Sequence, residues 1–308
     1  MLVDFPNFAI IANPVSGRRR SVKIAKIAHR RLLKHQPKGK LYFTQSRGDA
    51  YQLAKTAIEQ GYRLLIACGG DGTIHEIINA ICGIENETFL GILPSGKGND
   101  LARELNIPIQ IVRAIDILLA GKSKRIDVGQ IFNVIAENNQ PTSYFSTIVT
   151  CGFDAEVGRR VTEDKVLSNF LGSMAYVVTA ITTLPVFHPP TATIKGDFGM
   201  YEGSILICST GITASYGGGM RILPNAVIDD GQFDVCIIKP VSNLTVLRML
   251  AKLFWGGHTG HSAVSIHRTN NLLITTDPPM KMYADGEYVG DTPKKIRILP
   301  KRLNVIVP

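Results

Sequence analysis

The first third of the chain alternates two periodicities. Short, fully apolar runs read as buried strands, and each is followed by a polar turn and a segment whose apolar residues recur at helical spacing. Phe8–Ala12 reads as a strand ending at Asn13-Pro14. Ser21–Lys34 reads as a basic amphipathic helix with Val22, Ile24, Ala25, Ile27, Ala28 and Leu32 on its apolar face. Leu41–Thr44 is a second strand, Asp49–Gln60 a helix closed by Gly61, and Arg63–Cys68 a third strand. The run 69–73 then opens a helix through Ala80, while Phe89–Leu93 is a fourth strand whose following loop, 94–100, opens another helix. Strand, turn and helix in this order predict an open, mainly parallel α/β sheet with helices on its faces.

After about residue 127 the pattern changes to short β-rich runs separated by turn residues. These are Gln130–Val134, Tyr144–Val149, Thr191–Ile194, Ser204–Ser209, Phe233–Ile238, Asn271–Thr276 and Lys295–Leu299. They predict a C-terminal antiparallel β-sandwich, interrupted by helical segments near Phe170–Leu184 and Leu244–Trp255. The boundary falls near residues 125–135. The expected domains are therefore 1–130, α/β, and 131–308, β-sandwich. A length of 308 residues agrees, being more than one ordinary core accommodates.

Composition narrows the class. Hydrophobic residues make up 45% and charged residues 19%, enough to bury a core and to exclude wholesale disorder. Lys plus Arg number 34 against 25 acids, a net charge of +9, which favours an anionic partner such as an acidic membrane or nucleic acid. No base-reading motif or aromatic stacking pattern supports the nucleic acid. The five cysteines include no C-x-x-C pair and each lies in an apolar run, so they read as small core residues in a reducing compartment. The start, MLVDFPNFAIIANP, lacks the features of a signal peptide. No stretch of about 20 apolar residues spans a bilayer; the best segment, Met174–Phe187, carries threonines and is broken by Pro185. The expectation is a cytoplasmic protein that meets a membrane transiently and peripherally. Leu244–Trp255 reads as a helix packed on the sandwich, with rest in a lipid interface as the alternative.

The sharpest chemical signal is Gly69-Gly70-Asp71-Gly72-Thr73 after a buried strand. Its glycines let backbone N–H groups reach an anion, and the next helix begins there with its positive end. Asp71 would repel a phosphate unless a cation intervenes, so its presence implies Mg²⁺ or a protein cation. Two more loops follow strand ends of the same sheet: Asn13-Pro14-Val15-Ser16-Gly17, before the cluster Arg18–Arg20, and Leu93-Pro-Ser-Gly-Lys-Gly-Asn-Asp100. Ligands in open α/β sheets gather beyond these carboxyl ends. Gly91 to Gly98 nearly fits the P-loop pattern, but Gly98 stands where the Mg²⁺-binding hydroxyl belongs and Gly91 lies inside a strand. Asp285 and Glu287 flank Gly286 in the second half; on an extended strand they would share a face, whereas the glycine suggests a turn that re-aims them.

NPVSG, Thr44 before a Gly-Asp-Ala turn, GGDGT followed by HEIINA, and LPSGKGNDLAR occur in the order of the diacylglycerol kinase catalytic-domain family, which also includes sphingoid-base kinases. CGFDAEVG, ILPNAVIDDGQFDV, a helix ending near Trp255-Gly-Gly-His and Ala284-Asp-Gly-Glu287 resemble its second half, so the resemblance spans the chain. It implies a NAD kinase/diacylglycerol kinase-like fold with the active site in the cleft between two domains. It also implies an ATP-dependent, Mg²⁺-requiring lipid kinase, with diacylglycerol first among acceptors. Asn13, Pro14, Val15, Ser16, Gly17, Thr44, Gly69, Gly70, Asp71, Gly72, Thr73, Ser95, Gly96, Lys97 and Asn99 would form the ATP site. Glu287 would be the general base, with Asp71 and Asp285 as further catalytic carboxylates. Asp230 would hold a structural Mg²⁺ with the carbonyls of Val227 and Gln232, and Lys165 would link that ion to the catalytic cleft. Glu156 occupies a position that could read the lipid head group. Lys97 departs from the family's usual Thr or Ser, and Asn225 from a frequent Asp. A sphingoid base, polyprenol, phosphatidylglycerol or NAD are the rival acceptors, and a non-catalytic lipid-binding protein is the rival class; homodimer formation is left open.

Overall fold

The structure, a computed structural model, describes residues 7–85, 87–134, 141–163 and 174–308. The chain forms two compact units, Met1–Val128 with Pro300–Pro308, and Gly129–Leu299.

In the first unit, β1 (Asn7–Ala12), β2 (Lys38–Phe43), β3 (Leu64–Gly69) and β4 (Phe89–Pro94) form a parallel sheet in the order β2-β1-β3-β4. Every residue of β3 is buried, as expected of a central parallel strand covered on both faces. The chain end returns here, where Asn304 and Val305 pair parallel with Phe89 and Leu90. Helices α1 (Arg20–Leu32) and α2 (Asp49–Glu59) turn alanines inward, Ala25 and Ala28 from α1 and Ala50, Ala54 and Ala57 from α2. Small side chains at this spacing let a helix lie close to its neighbour. Helix α3 (Asp71–Cys82) is buried over most of its circumference, so it is an interior helix held by tertiary packing. A five-residue helix, α4 (Asp100–Glu104), follows β4. Helix α5 (Ile111–Ala120) buries Ala114, Ile115 and Leu118 against the cluster that contains Phe8, Ile10, Leu64 and Ile66.

The second unit is antiparallel. Its six-stranded sheet runs β12-β11-β10-β7-β14-β15, from β7 (Ile148–Gly152), β10 (Ile207–Gly211), β11 (Phe233–Ile238), β12 (Val264–Thr269), β14 (Lys281–Ala284) and β15 (Glu287–Asp291). The start of β16 (Lys294–Ile306) pairs with β13 (Asn271–Asp277), which continues through β8 (Thr191–Gly196) to β9 (Gly199–Ser204). Strand β5 (Ser123–Asn133) pairs with β6 (Ser143–Phe145). The Phe145 and Phe233 rings stack at 5.7 Å, tying β6 to β11. Helices α6 (Phe153–Glu163), α7 (Met174–Thr183) and α8 (Asn243–Leu253) are the described α-helices of this unit, and a short 3-10 turn, Leu184–Val186, follows α7.

Several runs resolve differently from their periodicity. Tyr144–Val149 is two strands broken at Ser146-Thr147, because the backbone N–H groups there bond the Asp285 carboxylate instead of a ladder. The run Lys295–Leu299 belongs to a longer strand, and Ser204–Ser209 divides between β9 and β10. Residues 170–173, the start of one expected helix, and Lys165 lie outside the described residues. All five cysteines are buried thiols. No described helix is long and apolar enough to cross a membrane.

Candidate active site

Four loops leave the carboxyl ends of β1, β2, β3 and β4, and hydrogen bonds fix them to one another. Asn13 N–H donates to the Cys68 carbonyl and Thr44 N–H to the Ala12 carbonyl, both at 3.0 Å; Ser95 N–H donates to the Gly69 carbonyl at 2.9 Å. Within the first loop the Asn13 side-chain oxygen accepts Val15 N–H at 3.1 Å, so Pro14 and Val15 sit in an Asx turn. Gly17, Arg18 and Arg19 then take positive φ in succession, a conformation natural only to the glycine. A Cβ on Gly17 would also collide with the Ser95 carbonyl. The Ser16 and Ser95 hydroxyls meet at 3.2 Å, the latter donating.

Gly69 ends β3, Gly70 is the extended N-cap of α3, and Asp71, Gly72 and Thr73 form that helix's first turn. A Cβ on Gly96 would overlap Gly70 Cα. The third and fourth loops therefore touch through glycine backbones. The half-buried Asp71 carboxylate accepts Asn99 N–H at 2.8 Å on Oδ2 and Asp100 N–H at 2.7 Å on Oδ1, so a residue of α3 caps α4. Asn99, at positive φ, closes the loop by exchanging two 2.9 Å bonds with Gly96. A Cβ on Gly98 would strike Asp71 Oδ2. The missing P-loop hydroxyl thus has a steric reason, since this position must leave room for a carboxylate. Arg103 bonds Asp100 at 2.5 Å and the Gly98 carbonyl at 2.7 Å, and Lys97 is exposed at the loop's tip.

In the second unit, Asp285 and Gly286 have φ of 52° and 83° and join the paired residues Ala284 and Glu287. This is the two-residue hairpin turn that Asp-Gly favours. The Asp285 carboxylate accepts Thr147 N–H at 2.8 Å, Thr147 Oγ1 at 2.5 Å and Ser146 N–H at 3.1 Å. Asp285 therefore fastens the hairpin to the β6–β7 corner, and Glu287 opens β15 half-buried.

The Asp230 loop enters β11. Oδ1 of Asp230 accepts Gln232 N–H at 3.1 Å and Oδ2 pairs with Arg268, while Val227 is exposed. One carboxylate with the backbone carbonyls of Val227 and Gln232 would be a set of hard oxygen donors of the kind Mg²⁺ takes, with Oδ2 held here by Arg268. Burial raises the neighbouring Asp234 carboxyl, with Arg268 opposing and Asp230 reinforcing the shift. Glu156 is ion-paired with Arg159 and Arg160, and the Arg159 hydrogen bonds lead in holding its carboxyl below the usual range, against partial burial.

Residues 7–131 match the family described as diacylglycerol kinase catalytic domain, and residues 147–307 the YegS C-terminal NAD kinase beta sandwich-like domain. A diacylglycerol kinase of Bacillus subtilis is 31% identical over 304 residues, covering 97% of this chain and 95% of the relative. This chain belongs to the diacylglycerol kinase catalytic-domain family. A diacylglycerol kinase of Staphylococcus aureus is 32% identical over 300 residues, covering 97% of this chain and 91% of that one. In fold, a crystal structure described as a diacylglycerol kinase from Bacillus anthracis superposes with a TM-score of 0.79 at 23% identity, covering 99% of this chain and 98% of that one. The family accounts for both halves: a mainly parallel α/β sheet, then an antiparallel NAD kinase-like sandwich.

Three carboxylates carry structure at these sites that sequence reasoning did not single out. Glu76 accepts Gly48 N–H and Ala50 N–H, each at 2.9 Å. Asp49 accepts Gln45 N–H, Ser46 N–H and the Ser46 hydroxyl, bonds that lower its carboxyl pKa. Together they hold the loop from Thr44 to Ala50. In the second unit, Asp154 lies buried beside a cavity of about 30 Å³ lined by Phe153, Tyr176, Leu206, Ile238, Val246, Met249 and Leu253, among others. Its Oδ2 accepts Thr150 Oγ1 at 2.6 Å and the Tyr216 hydroxyl at 2.8 Å, and its Oδ1 accepts Ala155 N–H at 2.9 Å. Burial nevertheless pushes the carboxyl up to about 6. The available signal was an acid inside the otherwise apolar start of a helix. His258 sits in a turn and is fully buried against the Ile222 carbonyl.

Proposed function

We propose that the chain transfers the γ-phosphate of Mg-ATP to the free hydroxyl of diacylglycerol, giving phosphatidic acid. The observation that carries this reading is the contact of Gly70 with Gly96, beside an Asp71 that joins two helix N-termini. Phosphates need backbone N–H groups approached without side-chain interference, and this arrangement supplies them at the carboxyl edge of a parallel sheet. The loops at Asn13–Gly17, Thr44, Gly69–Thr73 and Ser95–Asn99 are assigned to the nucleotide.

Phosphoryl transfer is governed by positioning and charge cancellation more than by covalent chemistry. Glu287 is assigned as the base that takes the proton from the lipid hydroxyl, and Asp285 as the residue that aims the Glu287 hairpin. Asp71 preserves the loop geometry and adds negative charge that a nucleotide-bound cation would complement. Asp230, with the carbonyls of Val227 and Gln232, is assigned to Mg²⁺. An ion held there would neutralise the acidic turn before β11. A lipid acceptor agrees with the relatives from Bacillus subtilis and Staphylococcus aureus, which are named diacylglycerol kinases.

The test is transfer of label from γ-labelled ATP, with Mg²⁺, to dispersed diacylglycerol and separately to a total lipid extract. Label is expected in the organic phase as phosphatidic acid and is expected to vanish with Glu287→Gln. Label on a different lipid corrects the acceptor. Label confined to the aqueous phase, or none from folded protein across the panel, sinks the lipid kinase reading.

A further inference from the structure

Helix α8 has an inner face that the fold uses and an outer face that it leaves in water. Val246, Met249 and Leu253 are buried, and with Leu250 they line the cavity beside Asp154. Roughly opposite on a 3.6-residue repeat lie Leu244, Arg248 and Trp255, flanked by Leu247, Phe254 and Lys252. All six are exposed, Phe254 by 53% and Trp255 by 66%. Large rings this open at a helix end lose hydrophobic stabilisation unless a partner covers them.

The base of this surface is firm. Ser242 caps the helix through its side chain. The turn after it is tied by Arg221 N–H to the Leu253 carbonyl and Gly257 N–H to the Lys252 carbonyl, at 2.8 and 3.1 Å. Gly256 seats against Pro224 at positive φ, and buried His258 bonds the Ile222 carbonyl. Phe254 and Trp255 are therefore presented by fixed backbone.

Charge selects the partner. Between Asp234 and Asp277 the sequence contains no acidic residue, whereas the exposed face of α8 carries Arg248 and Lys252. Aromatic and leucine side chains beside such cations are the chemistry of an anionic lipid interface, where hydrocarbon enters the acyl boundary and the cations remain at the head groups.

We infer that the outer face of α8, ending in Phe254 and Trp255, is the surface by which this protein docks on anionic bilayers. The inference rests on the lipid kinase reading for its purpose, but not for its test.

Trp255 is the chain's sole tryptophan, so its emission reports the docking surface in unmodified protein. Vesicles of phosphatidylglycerol and phosphatidylcholine should shift the emission to the blue, brominated acyl chains should quench it, and pure phosphatidylcholine should do neither. A doubly substituted Arg248→Gln, Lys252→Gln protein should bind anionic vesicles roughly twenty-five-fold more weakly, about fivefold for each charge. Phe254→Ser keeps the reporter and should also weaken partitioning, with far-ultraviolet dichroism confirming the fold. Both variants should keep wild-type transfer to a short-chain diacylglycerol dispersed in detergent. Vesicle binding without any change in Trp255 emission overturns the inference. So does a blue shift that grows with protein concentration in the absence of vesicles, which would mean that a second copy covers the face. An intact shift with no transfer to any lipid would overturn the kinase reading alone.

Discussion

The Asp71 carboxylate receives the backbone N–H groups of Asn99 and Asp100, at 2.8 and 2.7 Å, so the GGDGT loop and the loop after β4 are one unit. Charge-assisted bonds of this kind contribute roughly 1.5–3 kcal/mol each. Asp71→Asn removes the charge and one acceptor, and transfer should fall about a hundredfold or more, with weaker ATP binding by calorimetry. Gly98→Ser is the sharper test. It completes a P-loop pattern on paper but pushes Cβ into Asp71, so ATP binding should weaken. Tighter binding would show that Asp71 does not organise the nucleotide loops.

Glu76 plays the corresponding part for the loop after β2. Its two oxygens each accept one N–H, from Gly48 and Ala50. In Glu76→Gln an amide NH₂ would face one of those donors, costing roughly 1–3 kcal/mol locally. The Gly48 and Ala50 amides should exchange with deuterium faster, and KM for ATP should rise several-fold with a smaller change in kcat. Unchanged exchange at both amides would rule out the clamp.

The α/β half was legible because burial of a parallel sheet on both faces leaves uninterrupted apolar runs, and β1, β3 and β4 are such runs. The antiparallel half was less so. The edge strand β15, with burial alternating around Glu287 and Tyr288, has no strong pattern to reveal it. The break at Ser146-Thr147 depends on a carboxylate 139 residues away, which no local period records. The same holds at the site. Glycines announce a close backbone approach, whereas Glu76, on an interior helix, becomes legible only when Gly48 and Ala50 are seen folded against it.

Asp285 and Glu287 should separate by experiment. Asp285 is occupied by Ser146 and Thr147, so Asp285→Asn should lower stability by roughly 1–3 kcal/mol, read as a reduced urea midpoint, and lower activity with it. Glu287→Gln should lower the urea midpoint less than Asp285→Asn does and reduce kcat by about 10²–10⁴ as the loss of a base. Equal losses of stability in the two variants would argue that Glu287 is structural.

Asp154 predicts a pH signature. Its ordinary value of 3.8 is raised to about 6, chiefly by burial, with Thr150 and Tyr216 opposing the shift as donors. A folded carboxyl that holds its proton more tightly than the unfolded one contributes stability that is fully present below pH 3.8 and is lost as pH rises through about 6. That loss is roughly 3 kcal/mol. Asp154→Asn cannot ionise. Whatever its constant offset from a misplaced amide, the stability difference between variant and wild type should move by most of that amount in the variant's favour from about pH 4 to about pH 7.5. Urea titrations across that range measure it. Parallel curves would mean that the carboxylate is as well solvated in the folded protein as in the unfolded chain, with water reaching it through the small cavity at its side.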